Sequence, residues 1–321
     1  MKTALKVVLS VIGVLGVAAG GFYVWANMRV SNLLARTIET HTVDFSIPTP
    51  LTEAEIAALA TPDSADEVAL AQAIGRGRHL VNSFYVCTEC HGQNFGGGTM
   101  IDDPAIGSLF GPNLTGGRGS VVLAYGPADW DRAVRHGVSP SGRPTAMPSQ
   151  DFQIMSDQEL ADIVAYIRSM PPVDNEVGAI ELGPVGTVLV ALGQIPLSAD
   201  LIPHDAPHVA RPPETAATAE FGQHIAGVCT GCHGADLAGG PIPGGDPSWP
   251  PARNLTPHVG GLAAWSYQDF TRVMREGKRP DGSDLLQPMA AMTPFAANMT
   301  ETELQALWAY LQSLPAVATV E

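Results

Sequence analysis

The pentapeptide CTECH at residues 87–91 recurs as CTGCH at residues 229–233, and these two motifs contain all four cysteines of the 321-residue chain. The sequence around the motifs recurs as well. Downstream of the first motif, DWDRAVRHG (129–137) matches DFTRVMREG (269–277) downstream of the second. Matched segments are separated by nearly constant offsets, so most of the chain after its first 64 residues is predicted to be one unit that has been duplicated.

Each copy is predicted to be helical. A proline-free stretch precedes each motif, from about Asp66 to Val86 and, in a shorter version, from Glu220 to Val228. Each copy closes with a capping box followed by apolar residues at the helical period, in SDQELADIVAYIRSMP (156–171) and TETELQALWAYLQSLP (300–315). Little of the chain alternates like a strand. We therefore expect an all-α fold, with too few apolar side chains to fill the centre of each copy.

Composition excludes several classes of protein. The chain has 17 Lys and Arg against 32 Asp and Glu, a formal net charge of −15. A nucleic-acid binder would need a basic face to contact phosphates, so no nucleic-acid partner is expected. Four cysteines in this length are too sparse for a disulfide-stabilised scaffold.

The CxxCH spacing predicts covalent attachment of haem c. Two thiols one helical turn apart can add to the two vinyl groups of a haem, and the adjacent histidine then lies under the iron. Zinc is disfavoured because an adjacent Cys and His are poorly placed to share one tetrahedral ion, and a redox dithiol has no need of the histidine. Two covalently bound haem c groups are therefore expected, on Cys87, Cys90 and His91, and on Cys229, Cys232 and His233.

Each copy resembles a class I cytochrome c domain. The resemblance rests on CxxCH after an N-terminal helix, GPNL (111–114), the dipeptide Met147-Pro148 and a closing helix that ends in AYIRSMPP. It covers about residues 65–172 and 214–316. The whole chain is similar to membrane-anchored dihaem cytochromes c, including cytochrome subunits of periplasmic dehydrogenases. That resemblance implies one-electron transfer and a methionine sulfur as the distal ligand of each iron.

The distal ligands are assigned by position. In the first copy, Met147 lies in a loop before the closing helix, as the family pattern requires, and is preferred to Met100 and Met155. In the second copy, spacing back from the closing helix favours Met292, whereas spacing from the preceding Asp-Gly favours Met289. Neither is followed directly by proline. Met292 is preferred, and Met289 stays open as the alternative.

The resemblance also implies a partner for each proximal histidine. In the family, the proline of the GPNL-like stretch accepts a hydrogen bond from the proximal imidazole through its carbonyl, and Pro112 would do so for His91. The second copy has PARNL at this point, so Pro251 or the backbone of Arg253 would have to substitute. Trp130 is expected to pack against the porphyrin or the core.

The N-terminal segment is predicted to be a membrane anchor. Lys2 and Lys6 precede an uncharged run from Val7 to Ala26, long enough at about 1.5 Å per residue to span a bilayer. The competing interpretation is a cleaved signal peptide, but its apolar region would be shorter and would end in small residues. The lysines favour an N-terminus in the cytoplasm, which places the rest of the chain on the periplasmic, outer side of the cytoplasmic membrane.

The chain therefore divides into five predicted segments: an anchor (1–30), a linker (31–64), a first cytochrome c domain (65–172), a proline-rich connector (173–213) and a second cytochrome c domain (214–321). The connector carries an apolar patch, VGTVLVALGQIPL (185–197), which is too short and too glycine-broken for a second span.

Two functions are compatible with this sequence. The preferred one is a dihaem electron carrier that passes single electrons between a redox donor and an acceptor, as a subunit of a respiratory, dehydrogenase or photosynthetic assembly and without substrate chemistry of its own. The alternative is a dihaem peroxidase or oxidase with one open haem site. An axial His and Met fill the iron's coordination positions, so the presence or absence of a distal ligand in the second copy decides between the two functions. The acidic surface would suit a partner that is basic around its redox centre.

Overall fold

The chain is described by a computed structural model over residues 2–41, 43, 45–61, 64–246 and 248–319, so the predicted boundaries at residues 1 and 321 lie outside it. The described part contains twelve helices and three short strands. The helices are α1 (Lys2–Ala35), α2 (Glu53–Ala57), α3 (Ala65–Ser83), α4 (Thr88–His91), α5 (Pro127–Arg135), α6 (Asp157–Ser169), α7 (Pro184–Ala191), α8 (Ala219–Ala226), α9 (Thr230–His233), α10 (Tyr267–Glu276), α11 (Met289–Ala296) and α12 (Glu301–Ser313). The strands are β1 (Gly98–Asp103), β2 (Gly107–Gly111) and β3 (Glu181–Leu182).

The predicted opening and closing helices are confirmed in both copies. Both closing helices, α6 and α12, begin with the predicted capping box. The hydroxyl oxygen of Ser156 or Thr300 accepts the backbone N–H of the glutamate three residues later, and the carboxylate of that glutamate accepts the backbone N–H of Ser156 or Thr300. Within each copy the opening helix crosses the closing one, α3 against α6 and α8 against α12. This crossing brings the chain before each CxxCH against the end of the same copy.

Each copy has its own hydrophobic core around that crossing. In the first, the fully buried residues include Val81, Tyr85, Phe95, Leu160 and Val164. In the second they include Ile225, Leu304, Leu307 and Leu311, with Phe270 of α10 in the place of Trp130 of α5.

The repeated tripeptide Asn-Leu-Thr clamps the chain that follows each closing helix. Asn113 is fully buried; its Nδ2 donates to the Val173 carbonyl at 2.7 Å and its Oδ1 accepts the Thr115 N–H at 2.9 Å. In the second copy, Asn254 donates to the Val317 carbonyl at 2.7 Å in the same way. The repeat is therefore structural, because one amide side chain satisfies buried backbone groups from two segments.

A small antiparallel sheet means that the prediction of an all-α fold is met only in part: the chain is mostly helical. Strand β1 pairs with β2, and β2 pairs with the two-residue β3 of the connector. Asp103 closes the β1–β2 turn by accepting the backbone N–H groups of Ala105 and Ile106, both at 2.8 Å. The side chains of β1 are nearly all exposed, so no alternation of apolar and polar residues marks this strand in the sequence.

Helix α1 is apolar and long enough to span a membrane, and it continues to Ala35, beyond the predicted end of the anchor. Its C-terminal part is covered by the connector. Ala26 and Val30 pack against Val190 and Ala191 of α7, and the Arg29 Nε donates to the Ala191 carbonyl at 2.8 Å. The apolar patch of the connector therefore contacts α1.

The two copies contact each other through a reciprocal pair of histidines and glutamates. His79 of α3 lies 2.7 Å, Nε2 to Oε1, from Glu303, which caps α12. His224 of α8 lies 2.8 Å, again Nε2 to Oε1, from Glu159, which caps α6. Each capping glutamate therefore starts the closing helix of its own copy and also binds the opening helix of the other. We refer to these four residues as the interdomain pairs.

Candidate functional site

The first CxxCH forms a single helical turn whose histidine is oriented by a backbone carbonyl. Cys87 is the N-cap of α4, and His91 is its last residue. His91 is 6% exposed, and its Nδ1 lies 3.0 Å from the Pro112 carbonyl oxygen, which accepts the ring proton. The glycine of GPNL is required for steric reasons, since a Cβ on Gly111 would lie 2.0 Å from the Cys90 carbonyl oxygen. The Nε2 of His91 is left with a lone pair for a metal.

The second CxxCH has the same arrangement with a different carbonyl. Cys229 ends a 3₁₀ turn (Gly227–Cys229) and caps α9, whose last residue is His233. The His233 Nδ1 lies 2.7 Å from the carbonyl oxygen of Arg253, so Arg253 rather than Pro251 supplies the acceptor. The hydrogen bond thus survives the loss of the proline because it uses a main-chain oxygen.

Burial keeps these groups neutral. It lowers the pKa of His91 and His233 below the ordinary histidine value, and the hydrogen bonds to the Pro112 and Arg253 carbonyls offset this only in part. Burial also raises the pKa of Cys87 and Cys229 to about 12. Without a bound group, each motif near neutral pH therefore offers a neutral imidazole and uncharged sulfurs, as an apolar environment favours.

The surroundings of the first motif fit a haem c. None of the four cysteines forms a disulfide, so each sulfur is available for a thioether bond to haem. Trp130 is 3% exposed, and its Nε1 is buried with no hydrogen-bond partner among the residues that the structure describes. A carboxylate of a bound haem is an acceptor that could satisfy this donor. Trp130 was expected only to pack, and its unpaired N–H indicates that the indole also has a polar role.

The methionines occupy different settings in the two copies. Met147 is half-buried and packs against the first core. Met155 is 1% exposed and belongs to that core, whereas Met100 is 39% exposed, so neither rival shares the setting of Met147. In the second copy the predicted Met loop is helix α11, which begins at Met289 and includes Met292 one turn later. Both are half-buried.

The chain after Met147 contacts the second CxxCH. A Cβ on Gly231 would lie 2.2 Å from Oδ1 of Asp151, and one on Gly227 would lie 2.2 Å from Cδ1 of Ile154. Val228 packs against the first core. Burial raises the pKa of Asp151 to about 6. No pattern in the sequence indicated this contact, because it joins segments of different copies that are more than 70 residues apart in the chain.

The interdomain pairs were also missed from the sequence, which gave His79 and His224 no role. A signal did exist. The two histidines are 145 residues apart and the two capping glutamates 144, so each His–Glu combination recurs with the repeat. Recurrence alone does not reveal that the partners belong to opposite copies.

Two CxxCH motifs with oriented, neutral histidines define a c-type cytochrome with two covalent haem c groups. Comparison with protein families agrees. The family "Cytochrome C oxidase, cbb3-type, subunit III" matches residues 72–167, and the family "Cytochrome c" matches residues 219–315. The two matches lie on the two copies and together cover more than half of the chain. Each of the two copies is therefore a cytochrome c domain.

Individual relatives include cytochrome subunits of dehydrogenases. The "Alcohol dehydrogenase (quinone), cytochrome c subunit" of Gluconacetobacter polyoxogenes is 28% identical over 258 residues, which are 72% of this chain and 53% of that protein. The "Diheme cytochrome c-type" protein of Cereibacter sphaeroides is 26% identical over 238 residues, 69% of this chain and 76% of that protein. The "Gluconate 2-dehydrogenase cytochrome c subunit" of Pantoea cypripedii is 32% identical over 108 residues, 32% of this chain and 24% of that protein. This chain therefore spans about half the length of the alcohol dehydrogenase subunit that it matches.

Proposed function

We propose that this protein carries single electrons between two redox partners, as the dihaem cytochrome subunit of a membrane-bound dehydrogenase. The relatives named as dehydrogenase cytochrome subunits support membership of such an assembly. Each haem would supply a reversible one-electron iron couple. The protein then has to hold the two groups in place, tune them and exclude water.

The observation behind this proposal is the contact between the second CxxCH and the Met147 segment, by which we mean residues 147–154. The second attachment motif lies against Asp151 and Ile154, with no side chain on Gly227 or Gly231 to separate them. A distal-ligand segment of one site thus touches the attachment segment of the other. This packing favours electron exchange between two sites within one chain, and two independent substrate-binding haems would have no need of it.

We assign His91 and Met147 as the axial ligands of the first iron, and His233 and Met292 as those of the second, with Met289 as the alternative to Met292. The carbonyls of Pro112 and Arg253 hold the two imidazoles at 3.0 and 2.7 Å, so each Nε2 has a fixed direction. With a nitrogen and a sulfur as axial ligands, neither iron has an open position for a substrate.

Helix α1 would anchor the protein in the cytoplasmic membrane, with both cytochrome c domains, residues 65–172 and 214–321, on the periplasmic side. Its length and apolar composition support the anchor, and Lys2 and Lys6 before the apolar run support that orientation. The net charge of −15 favours a partner surface that is basic around its redox centre.

Spectra of methionine variants test the ligand assignment. We expect Met147→Ala and Met292→Ala each to remove the methionine–iron absorption of one ferric haem, while the exposed Met100→Ala leaves both spectra unchanged. Loss with Met289→Ala and not with Met292→Ala would exchange the assignment in the second copy. A high-spin, five-coordinate ferric haem in the wild-type protein would overturn the electron-carrier proposal in favour of the dihaem peroxidase or oxidase.

Purification tests the assembly. We expect a dehydrogenase subunit to copurify with the protein from membranes in mild detergent, and its substrate to reduce both haems within the complex. Reduction should slow as salt is raised, because the partner contact is electrostatic. A protein that purifies alone and is reduced at a salt-independent rate would contradict this part of the proposal.

A further inference from the structure

Four potential metal ligands converge in a buried cluster that lies outside both CxxCH motifs. They come from three separate parts of the chain: His41 from the linker, Asp131 and His136 from α5 and its C-terminal end, and His208 from the connector. One ligand atom from each lies within 4.8 Å of every other. Asp131 is 1% exposed and His136 is fully buried. We refer to these four residues as the His₃Asp cluster.

Hydrogen bonds to His204 fix the orientation of two of the imidazoles. The Nε2–H of His204 donates to the Ala199 carbonyl at 2.9 Å, so its Nδ1 is an acceptor, and the Nδ1–H of His136 donates to it at 3.0 Å. The Nδ1–H of His41 donates to the His204 carbonyl at 2.8 Å. In both rings the proton is therefore on Nδ1, and Nε2 turns a lone pair into the cluster, as in histidines that bind metal through Nε2.

Two atoms in the cluster are buried without a partner among the described residues. They are Nε2 of His41 and Oδ2 of Asp131. A buried acceptor that no donor satisfies costs free energy, and a charged acceptor costs more than a neutral one. Both atoms are acceptors, and a cation would satisfy both of them at once.

Three distances within the cluster are those expected between ligand atoms around a tetrahedral ion. The Nε2 atoms of His136 and His208 are 3.3 Å apart, the His136 Nε2 is 3.5 Å from Oδ2 of Asp131, and the His208 Nε2 is 3.5 Å from its Oδ1. Zinc–nitrogen bonds of about 2.0–2.1 Å at tetrahedral angles place neighbouring ligand atoms about 3.3 Å apart. Two ring nitrogens at that distance need a proton or a metal ion between them, since two lone pairs repel each other.

The balance of charges around the cluster is compatible with a divalent cation. Arg135 is fully buried next to Asp131, but it donates to Asp131 at 2.7 Å and to Asp157 at 2.8 Å, so two carboxylates offset one guanidinium.

We propose that His41, Asp131, His136 and His208 bind a zinc ion in a closed tetrahedral site. Imidazole suits zinc, and four protein ligands leave no position for water or substrate, so the site is structural and not catalytic. The ion joins the linker after α1, the α5 helix of the first copy and the connector before the second copy. It therefore fixes the first cytochrome c domain relative to both of its flanking segments.

Metal analysis of the holoprotein tests the site. The full chain, purified in detergent through a tag without histidine, is stripped with a chelator, incubated with zinc chloride and dialysed. We expect about one zinc per two haem irons by elemental analysis, the iron serving as the internal standard. His208→Gln should lose this zinc while keeping both haems. The matched control His258→Gln, whose ring contacts the Gly260 N–H at 3.1 Å in the second copy, should retain it.

A variant outside the ligand set gives an independent readout. His204→Ala keeps all four ligands but removes the groups that orient His41 and His136, so we expect zinc affinity to fall about 10–100-fold while the stoichiometry at saturating zinc is unchanged. Zinc should raise the melting temperature of the wild-type protein and not that of His208→Gln. Zinc content that is equal in the wild type and His208→Gln would overturn the proposal, and the cluster would then be a hydrogen-bonded histidine network that shares a proton.

Discussion

The crossing of α3 and α6 depends on a glycine that no other residue can replace without moving a helix. A Cβ added to Gly77 would lie 2.0 Å from the Asp162 carbonyl oxygen and 2.9 Å from Cβ of Tyr166. The first of these is a backbone atom and cannot rotate away. Gly75, two residues earlier in the same helix, is exposed, and a Cβ there would meet nothing within 4 Å. Gly77→Ala and Gly75→Ala are therefore the same chemical change in two different environments.

The expected change in the free energy of unfolding follows from these distances. An ordinary contact begins at about 3.4 Å, so α3 and α6 would have to separate by roughly 1.4 Å at the crossing. A gap of 0.5–1 Å already removes about a quarter to a half of a dispersion contact. Overpacking costs typically 1–3 kcal/mol, and alanine recovers about 1 kcal/mol of helix propensity. Because the clash is with backbone, we place the overpacking cost above that typical range, at about 3–4 kcal/mol, which leaves a net loss of about 2–3 kcal/mol for Gly77→Ala. For Gly75→Ala we expect a gain of about 0.5–1 kcal/mol.

Thermal unfolding of the holoprotein, followed by far-UV circular dichroism and by the haem Soret band, measures both variants. For a domain of about 100 residues the expected loss corresponds to a fall of roughly 10–20 °C in the transition of the first copy, and the second copy should melt as in the wild type. Gly75→Ala should melt slightly higher. If Gly77→Ala unfolds at the same temperature as Gly75→Ala, the close approach of the two helices does not stabilise this domain.

Three further perturbations test two contacts between the copies and one contact that closes the first copy. The hydrogen bond that His79 donates to the Glu303 carboxylate raises the pKa of His79. This pair therefore stabilises the folded chain below about pH 6.5, and less as the pH rises through the raised value. The melting temperature of Glu303→Gln should for that reason fall less between pH 6 and 8 than that of the wild type. Burial raises the pKa of Asp151 to about 6 from 3.8, so the folded chain loses stability as the pH rises from about 4 to 6; in urea at pH 7, Asp151→Asn should be more stable by up to about 3 kcal/mol. Asn113→Ala leaves buried backbone groups unpaired, and should cost at least about 2 kcal/mol in the same urea titration without changing the absorption of either haem.

Local signals in the sequence were sufficient for the opening and closing helices of each copy. The capping boxes at Ser156 and Thr300 fix where α6 and α12 begin, because the side chain and the backbone satisfy each other within four residues. The CxxCH motifs predicted both haem sites for the same reason, since all three functional residues lie on one helical turn. Where a feature depends on residues close together in the chain, the pattern is enough.

Features that depend on distant residues were not predictable from these patterns. Strand β1 has an exposed surface and is held by pairing to β2 and by the Asp103 turn, so it shows no apolar alternation. The acceptor for His233 is a main-chain carbonyl, and any residue can supply one. The His₃Asp cluster combines residues 41 and 208, which lie outside the duplicated units, so comparison of the two copies could not reveal it.

The duplication accounts for how the two haem sites are held relative to each other. A capping glutamate has its carboxylate fixed by the helix that it starts, and here the same carboxylate binds a histidine of the other copy at 2.7 or 2.8 Å. Because both halves of the repeat carry a histidine before the motif and a glutamate at the cap, the interaction forms twice. Two such bonds at separate points restrict rotation of one copy against the other, which one bond would not do. The helices that build each copy therefore also orient the two copies relative to each other. As a consequence, the Met147 segment is held against the second attachment motif.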